Sequence, residues 1–176
     1  FEIYAAEDIY GKQHLMLYKT YNQAACPVRI HSSCITGDAL GSLRCDCGTQ
    51  LDNAMQQLSE TGGALIYLEQ EGRGIGLVEK IKAYNLQDKG MDTVDANLHL
   101  GHKIDNRNYA IAAQLLRQKH ITEINLLTNN PQKILQIKKY GIKLSNRQPL
   151  TGAINKHNHK YLQTKKNKMG HLLEKI

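Results

Sequence analysis

Cys34, Cys45 and Cys47 follow a C-x10-C-x-C pattern inside the segment HSSCITGDALGSLRCDCG of residues 31–48. Three soft thiolates suit zinc, and a fourth position left to water would make such an ion catalytic. Cys47 directly precedes a helical pattern, whose N-terminal dipole favours the thiolate form. Closed instead by His31 or Cys26, the same trio would be a structural staple, and spacing alone serves the two readings equally. Cys26, beside Pro27, reads more simply as a small buried hydrophobe. Disulfides are disfavoured because three of the four cysteines lie within 14 residues and no export signal accompanies them. That usage suits a reducing, cytoplasmic setting.

Groups suited to phosphate surround this trio. Glu71-Gly72-Arg73-Gly74-Ile75-Gly76 falls between a strand pattern and a helix pattern, where backbone N–H groups and a helix start can hold an anion beside Arg73. It matches neither common phosphate-loop fingerprint, and a tight turn needing positive φ explains its glycines equally well. Thr128-Asn129-Asn130-Pro131-Gln132-Lys133 offers a hydroxyl, amide caps and a lysine at a second strand-to-helix junction. Two such junctions predict a polyphosphate ligand at the carboxyl ends of strands. Asp105-Asn106-Arg107 places a carboxylate two residues from a guanidinium, although an N-cap aspartate with a surface arginine is the simpler account. Tyr84 reads locally as a core or boundary aromatic.

These residues need a scaffold. Alternation over 14–18 and 28–31 predicts two strands that pair antiparallel. Leu51, Ala54, Met55 and Leu58 mark a helix from about Thr49 to Gly62, and the apolar run 64–68 a buried strand. Leu77 to Gly90 and Arg107 to His120 read as further helices. A strand over 124–128, a helix opened by Pro131 and ending before Gly141, and a short strand over 142–144 complete the pattern. The prediction is an α/β domain, a layered mixed sheet with flanking helices and an antiparallel β portion in front.

The 176 residues, 41% hydrophobic, suit a single folded domain spanning 1–176. No apolar run approaches the ~18 residues of a membrane helix. The chain starts at Phe1 without a Met, which predicts further sequence upstream. Of the net charge of +7, +6 falls from Arg147 onward, where seven Lys/Arg face Glu174 alone. This basic tail reads as a solvated, mobile end, with an anionic or nucleic-acid surface as the alternative.

Assembled, the segments resemble GTP cyclohydrolase II, the zinc enzyme that opens riboflavin synthesis. The similarity runs through V-R-I-H-S-S-C, C-D-C-G, Q-E-G-R-G-I-G-L, K-I-x-A-Y-x-L-Q-D-x-G, D-T-V-x-A-N, L-T-N-N-P-x-K and Y-L-x-T-K-x-x-K-M-G-H-L-L, over about residues 28–172. The resemblance implies loss of C8 of guanine as formate and release of diphosphate, with zinc on the three cysteines activating water and magnesium accompanying the phosphates. It implies GTP contacts from Arg29, Ile30, His31, Ser32, Ser33, Gln50, Glu71, Gly72, Arg73, Thr93, Thr128 and Lys133. Glu71 would read the guanine N–H groups. Tyr84 is implied beside the ring, Asp105 as proton acceptor and Arg107 as nucleophile or, given its permanent charge, as a phosphate clamp. A homodimer is implied too. Three positions depart from the family pattern: Ser33 and Asn106 stand where glutamate is usual, and Glu69 where arginine is. They leave open a paralogue that performs part of the reaction or takes another purine nucleotide. A zinc-stabilised nucleic-acid module is the remote alternative, since the tyrosines are scattered and Phe and Trp nearly absent.

Overall fold

The computed structural model describes residues 1–173. The final residues of the basic tail, 174–176, fall outside it. Six strands, β1 (Glu2–Glu7), β2 (Gln13–Lys19), β3 (Cys26–Ser32), β4 (Gly63–Leu68), β5 (Glu123–Leu127) and β6 (Lys143–Gln148), form one mixed sheet in the order β1-β2-β4-β3-β5-β6. The pairs β1-β2 and β2-β4 are antiparallel, whereas β4-β3-β5-β6 is parallel. This is the predicted α/β class with an antiparallel portion at its front.

The expected pairing of β2 with β3 does not form, because β4 lies between them. The physical reason is burial. β3 is covered on both faces, as an interior parallel strand is, so its Arg29 and His31 alternate toward a buried polar cleft rather than toward water. Cys26, Val28 and Ile30 point to the opposite face and join a core with Ile66, Leu116, Ile124 and Leu126. A smaller cluster of Ala54, Leu58, Leu65, Leu127 and Leu150 fills the Arg29 side.

The helices are α1 (Ile35–Asp38), α2 (Cys47–Thr61), α3 (Leu77–Asp88), α4 (Thr93–His99), α5 (Ala110–Gln118), α6 (Pro131–Lys139) and α7 (His159–Met169). α6 starts as predicted, with Pro131 in its first turn and the Asn130 side chain accepting from the backbone N–H groups of Gln132 and Lys133. α5 starts three residues later than the periodicity suggested: Asp105 bonds Arg107 rather than the helix, and Asn108 Oδ1 accepts from Ala110 N. β1, α4 and α7 lie in segments without a strong period. No described helix is long and apolar enough to cross a membrane.

The expected solvated tail is folded. Leu162 is 1% exposed and Leu173 is 7% exposed. Lys165 bonds Asp46 at 2.9 Å, and Lys168 pairs with Asp92, which caps α4, and with Asp95 within it. Two of the lysines that made the tail basic thus neutralise acids in the body of the domain.

Candidate active site

The parallel arrangement brings the carboxyl ends of β3, β4 and β5 to one edge, and from them leave the segments beginning at Ser33, Glu69 and Thr128. Between them and α7 lies a cleft of about 1160 Å³, mouth included. It sits where ligands of open α/β sheets bind.

One wall carries the cysteines. Their sulfurs lie within 4.8 Å of one another, with Cys34 and Cys45 3.7 Å apart, and among the described residues no further Cys, His or carboxylate joins them. Both candidates for a closing fourth ligand are engaged elsewhere. Cys26 is fully buried in the core, its thiol 3.5 Å from the Pro27 carbonyl and pushed up to about 12 by burial. His31 places Nε2 3.1 Å from Asp38 and Nδ1 3.4 Å from Arg29 NH2, the tautomer with the proton on Nε2 satisfying both; burial holds it neutral. Three sulfurs converging without a fourth protein donor fit a thiophilic divalent ion such as zinc with a coordination position to spare. The Cys34 thiol lies far below its ordinary range because Cys45 and Cys47 donate to it and Lys80 stands beside it. Those same bonds raise the two donors, Cys45 to about 11.

The lining as a whole is cationic. Among the described residues seven Lys/Arg side chains line the cleft, against Glu71 as the single lining carboxylate. Arg29, 6% exposed, donates to the Leu127 carbonyl and to Gln50 Oε1, with burial lowering it to about 10; its Nε has no partner. Lys133, 4% exposed, donates to the Ile30 carbonyl and is pulled well down by burial and by Arg29 and Arg107. Both terminal nitrogens of Arg73 are buried without a partner, and so is Asn130 Nδ2. Buried N–H donors left unbonded cost about 1–3 kcal/mol each unless a ligand takes them.

Arg107 grips Asp105 with two side-chain bonds, Nε to Oδ1 at 2.9 Å and NH2 to Oδ2 at 2.5 Å. Burial opposes the charge on each; for Asp105 the Arg107 bonds outweigh it and hold the carboxyl low, and for Arg107 the Tyr109 and Asp105 charges outweigh it and raise the guanidinium. Tyr84 lies between two cations, Arg44 at 4.8 Å and Lys80 at 5.6 Å from its ring centre, and burial raises its phenol. Glu71 accepts Lys80 Nζ and Gly72 N on Oε1 and Ile35 N on Oε2.

Of the residues expected to bind metal, contact GTP or act in catalysis, the structure gathers all but two around this cleft, including Ser32, Thr93 and Thr128. Ile30 contributes its carbonyl alone, its side chain being fully buried in the core, and Asp105 lies behind Arg107. Of the three departures, Ser33 lines the cleft and accepts from Gln70 N. Glu69 does not add negative charge there, because its carboxylate accepts from Gln13 N at the start of β2. Asn106 donates its backbone N–H to the Arg73 carbonyl.

The structure adds residues that local reading passed over. Asp38 accepts from Cys34 N, Tyr67 OH and the His31 ring, and so fixes the first cysteine. Asp46, between two cysteines and 3% exposed, accepts from Gln50 and Lys165. Lys80, Tyr161, Lys165 and His171 line the cleft. Burial and the surrounding Lys165, Arg107 and Arg73 drive His171 down to about 3. Four of these lie within motifs already visible, K-I-x-A-Y and Y-L-x-T-K-x-x-K-M-G-H-L-L, and Lys165 reads there as part of a solvated basic tail.

Comparison with known proteins gives a consistent family. The family model described as GTP cyclohydrolase II matches residues 1–149. The GTP cyclohydrolase-2 of Campylobacter hominis is 52% identical over 163 residues, which is 93% of this chain and 83% of that protein. The riboflavin biosynthesis protein RibBA of Staphylococcus haemolyticus is 51% identical over 174 residues, covering 98% of this chain and 44% of its own length. The RibBA of Bacillus subtilis is 49% identical over 178 residues, with 98% and 45% covered. The chain thus spans less than half the length of these RibBA relatives.

Proposed function

Because the chain belongs to the GTP cyclohydrolase II family, we propose that this cleft binds GTP and opens its imidazole ring. The products are formate, diphosphate and 2,5-diamino-6-(5-phosphoribosylamino)pyrimidin-4(3H)-one, the first intermediate of riboflavin synthesis. The observation that carries the reading is the meeting, within one cleft, of three converging sulfurs and a cationic lining that, among the described residues, holds seven basic side chains and one carboxylate. A triphosphate needs the second and a hydrolytic ring opening the first.

Cys34, Cys45 and Cys47 would hold zinc, which when bound supplies an activated water near neutral pH. Arg29 and Arg73 would take phosphate oxygens with their unbonded N–H groups and Lys133 with the N–H groups it does not give to the Ile30 carbonyl, and Thr128 and Asn130 would complete the cradle. Magnesium would travel with the phosphates, held by them and by water. Arg107 stays a cation in its bidentate pair, so it serves as a phosphate clamp rather than a nucleophile. Glu71 has three of its roughly four acceptor positions filled, which leaves room for one guanine N–H rather than a pair. Of the three departures only Ser33 touches the cleft, which favours the full reaction over a partial one. Reduced thiols suit the cytoplasm. Exposed Ile3, Ile9 and Tyr10 on the β1–β2 portion suit the face of a homodimer.

The test is product analysis after incubation with GTP, zinc and magnesium. A folded, zinc-loaded chain that yields neither formate nor diphosphate would overturn the proposal. Cys45→Ser should abolish metal uptake and formate release, whereas Arg107→Ala should chiefly slow diphosphate release.

A further inference from the structure

Lys80 is 8% exposed, on the buried face of α3, and its ammonium has three N–H donors. All three find acceptors: Cys34 Sγ at 3.1 Å, Thr36 Oγ1 at 2.8 Å and Glu71 Oε1 at 2.7 Å. No donor is left for water or for a phosphate, which separates Lys80 from Arg29 and Arg73 across the cleft. An ion pair with Glu71 would account for one contact. It would not bring the nitrogen to a sulfur donated by a different segment, 46 residues away in sequence.

We propose that Lys80 is a positioning residue of the three-sulfur site: its ammonium orients the Cys34 sulfur, offsets part of its charge and ties it to Glu71. The inference rests on the reading of the trio as a metal site. Three thiolates around a divalent ion leave one net negative charge, and in a buried wall that charge is stabilised by a cation hydrogen-bonded directly to a ligand atom. An N–H···S bond also fixes the direction of the sulfur lone pairs. Through the same nitrogen, any shift of Glu71 on meeting a purine would be felt at Cys34, so the base-reading end and the metal end of the cleft share one mechanical link. Thr36, two residues after Cys34 on α1, supplies the third acceptor and keeps the ammonium from pairing with Glu71 alone.

The experiment uses the full chain loaded with cobalt(II) as a spectroscopic stand-in for zinc, alongside zinc competition against a chelating dye. In Lys80→Met the sulfur-to-cobalt charge-transfer band should move to longer wavelength, because a thiolate stripped of its N–H donor gives up an electron more easily. Zinc affinity should fall about 10–100-fold, while Lys80→Arg retains most of it. Glu71→Gln, which spares the Lys80–Cys34 bond, should move the band less than Lys80→Met does. An unshifted band in Lys80→Met, or an equal shift in Glu71→Gln, overturns the inference. If Lys80→Met has no cooperative melt, Lys80→Gln is read by the same two criteria. A wild-type chain that takes up cobalt but turns over no GTP removes the proposed function and leaves this inference standing; an unshifted band does the reverse.

Discussion

Gly37 offers a perturbation aimed at the sulfurs and at little else. It lies in α1 with a helical backbone, so an alanine there meets no conformational penalty and reduces unfolded-state freedom by roughly 0.4–1 kcal/mol. Its added Cβ, however, would sit 2.8 Å from Cys45 Sγ, 3.1 Å from Cys47 Cβ and 3.2 Å from Cys34 Sγ. Ordinary contact needs roughly 3.5–4 Å, so one sulfur must move by about 1 Å. α1 has no room to retreat, because the Gly37 carbonyl is packed so closely on Gly48 that a Cβ there would lie 2.3 Å from it. Metal–sulfur distances tolerate only about 0.2 Å, and three-thiolate binding that draws on ~10–16 kcal/mol would lose about a third of it with one sulfur displaced. Gly37→Ala should therefore weaken zinc binding at least about a hundredfold while its metal-free melt moves by no more than ~2 kcal/mol. Both are read on one preparation, by dialysis against graded chelator and by urea titration. An alanine variant that retains zinc as the parent does would show that the three sulfurs do not form one site.

Lys165→Met should cost roughly 3 kcal/mol in urea, since it leaves Asp46, 3% exposed, as an unpaired buried carboxylate; adding Asp46→Asn should recover most of the loss, and a strictly additive double variant would refute the pairing. His171, held neutral down to about 3 against 6.5 in the unfolded chain, lets the unfolded state take up a proton first. Stability should then fall as pH drops from about 6.5 toward 3, by up to ~1.4 kcal/mol per unit, and His171→Asn should flatten the urea midpoint measured between those limits. Cys26→Ser places a hydroxyl at a fully buried core position and should lose ~1–3 kcal/mol with zinc content unchanged, in contrast to Cys45→Ser, as metal analysis of both would decide.

Elements with a strong internal period were legible. Ala54 and Leu58, with half-buried Leu51, mark the apolar stripe of α2, and Pro131 with Asn130 fixes the start of α6 to the residue. The failures have particular causes. β3 alternates polar and apolar as a half-exposed strand does, yet Arg29 and His31 face a cleft; period alone cannot tell water from a polar interior. α7 is rich in lysine and gave a weak apolar stripe, since what seats it is Leu162 together with ion pairs to α4 and to Asp46.

The site divides along the same line. Residues whose type names their chemistry, the three cysteines, Arg73, Thr128 and Lys133, could be picked out because thiolates, guanidinium groups and strand-end hydroxyls carry their use in local sequence. Residues whose use depends on a distant partner could not. Lys80 becomes part of the cysteine site only when α3 packs beside α1, and Lys165 becomes the counter-charge of the cysteine loop across 119 residues. Asp46 shows the consequence most clearly. At the start of α2 it looks like a helix cap, but its carboxylate makes no cap bond and serves Gln50 and Lys165 instead. The loop that holds two sulfurs is thereby fastened to the far end of the chain. Gln50 in turn bonds Arg29, so α7, the cysteine loop and the phosphate wall share one hydrogen-bonded path. Left incomplete, a network of this kind is destabilising in a low-dielectric interior, which gives each member a reason to be present that no local spacing records.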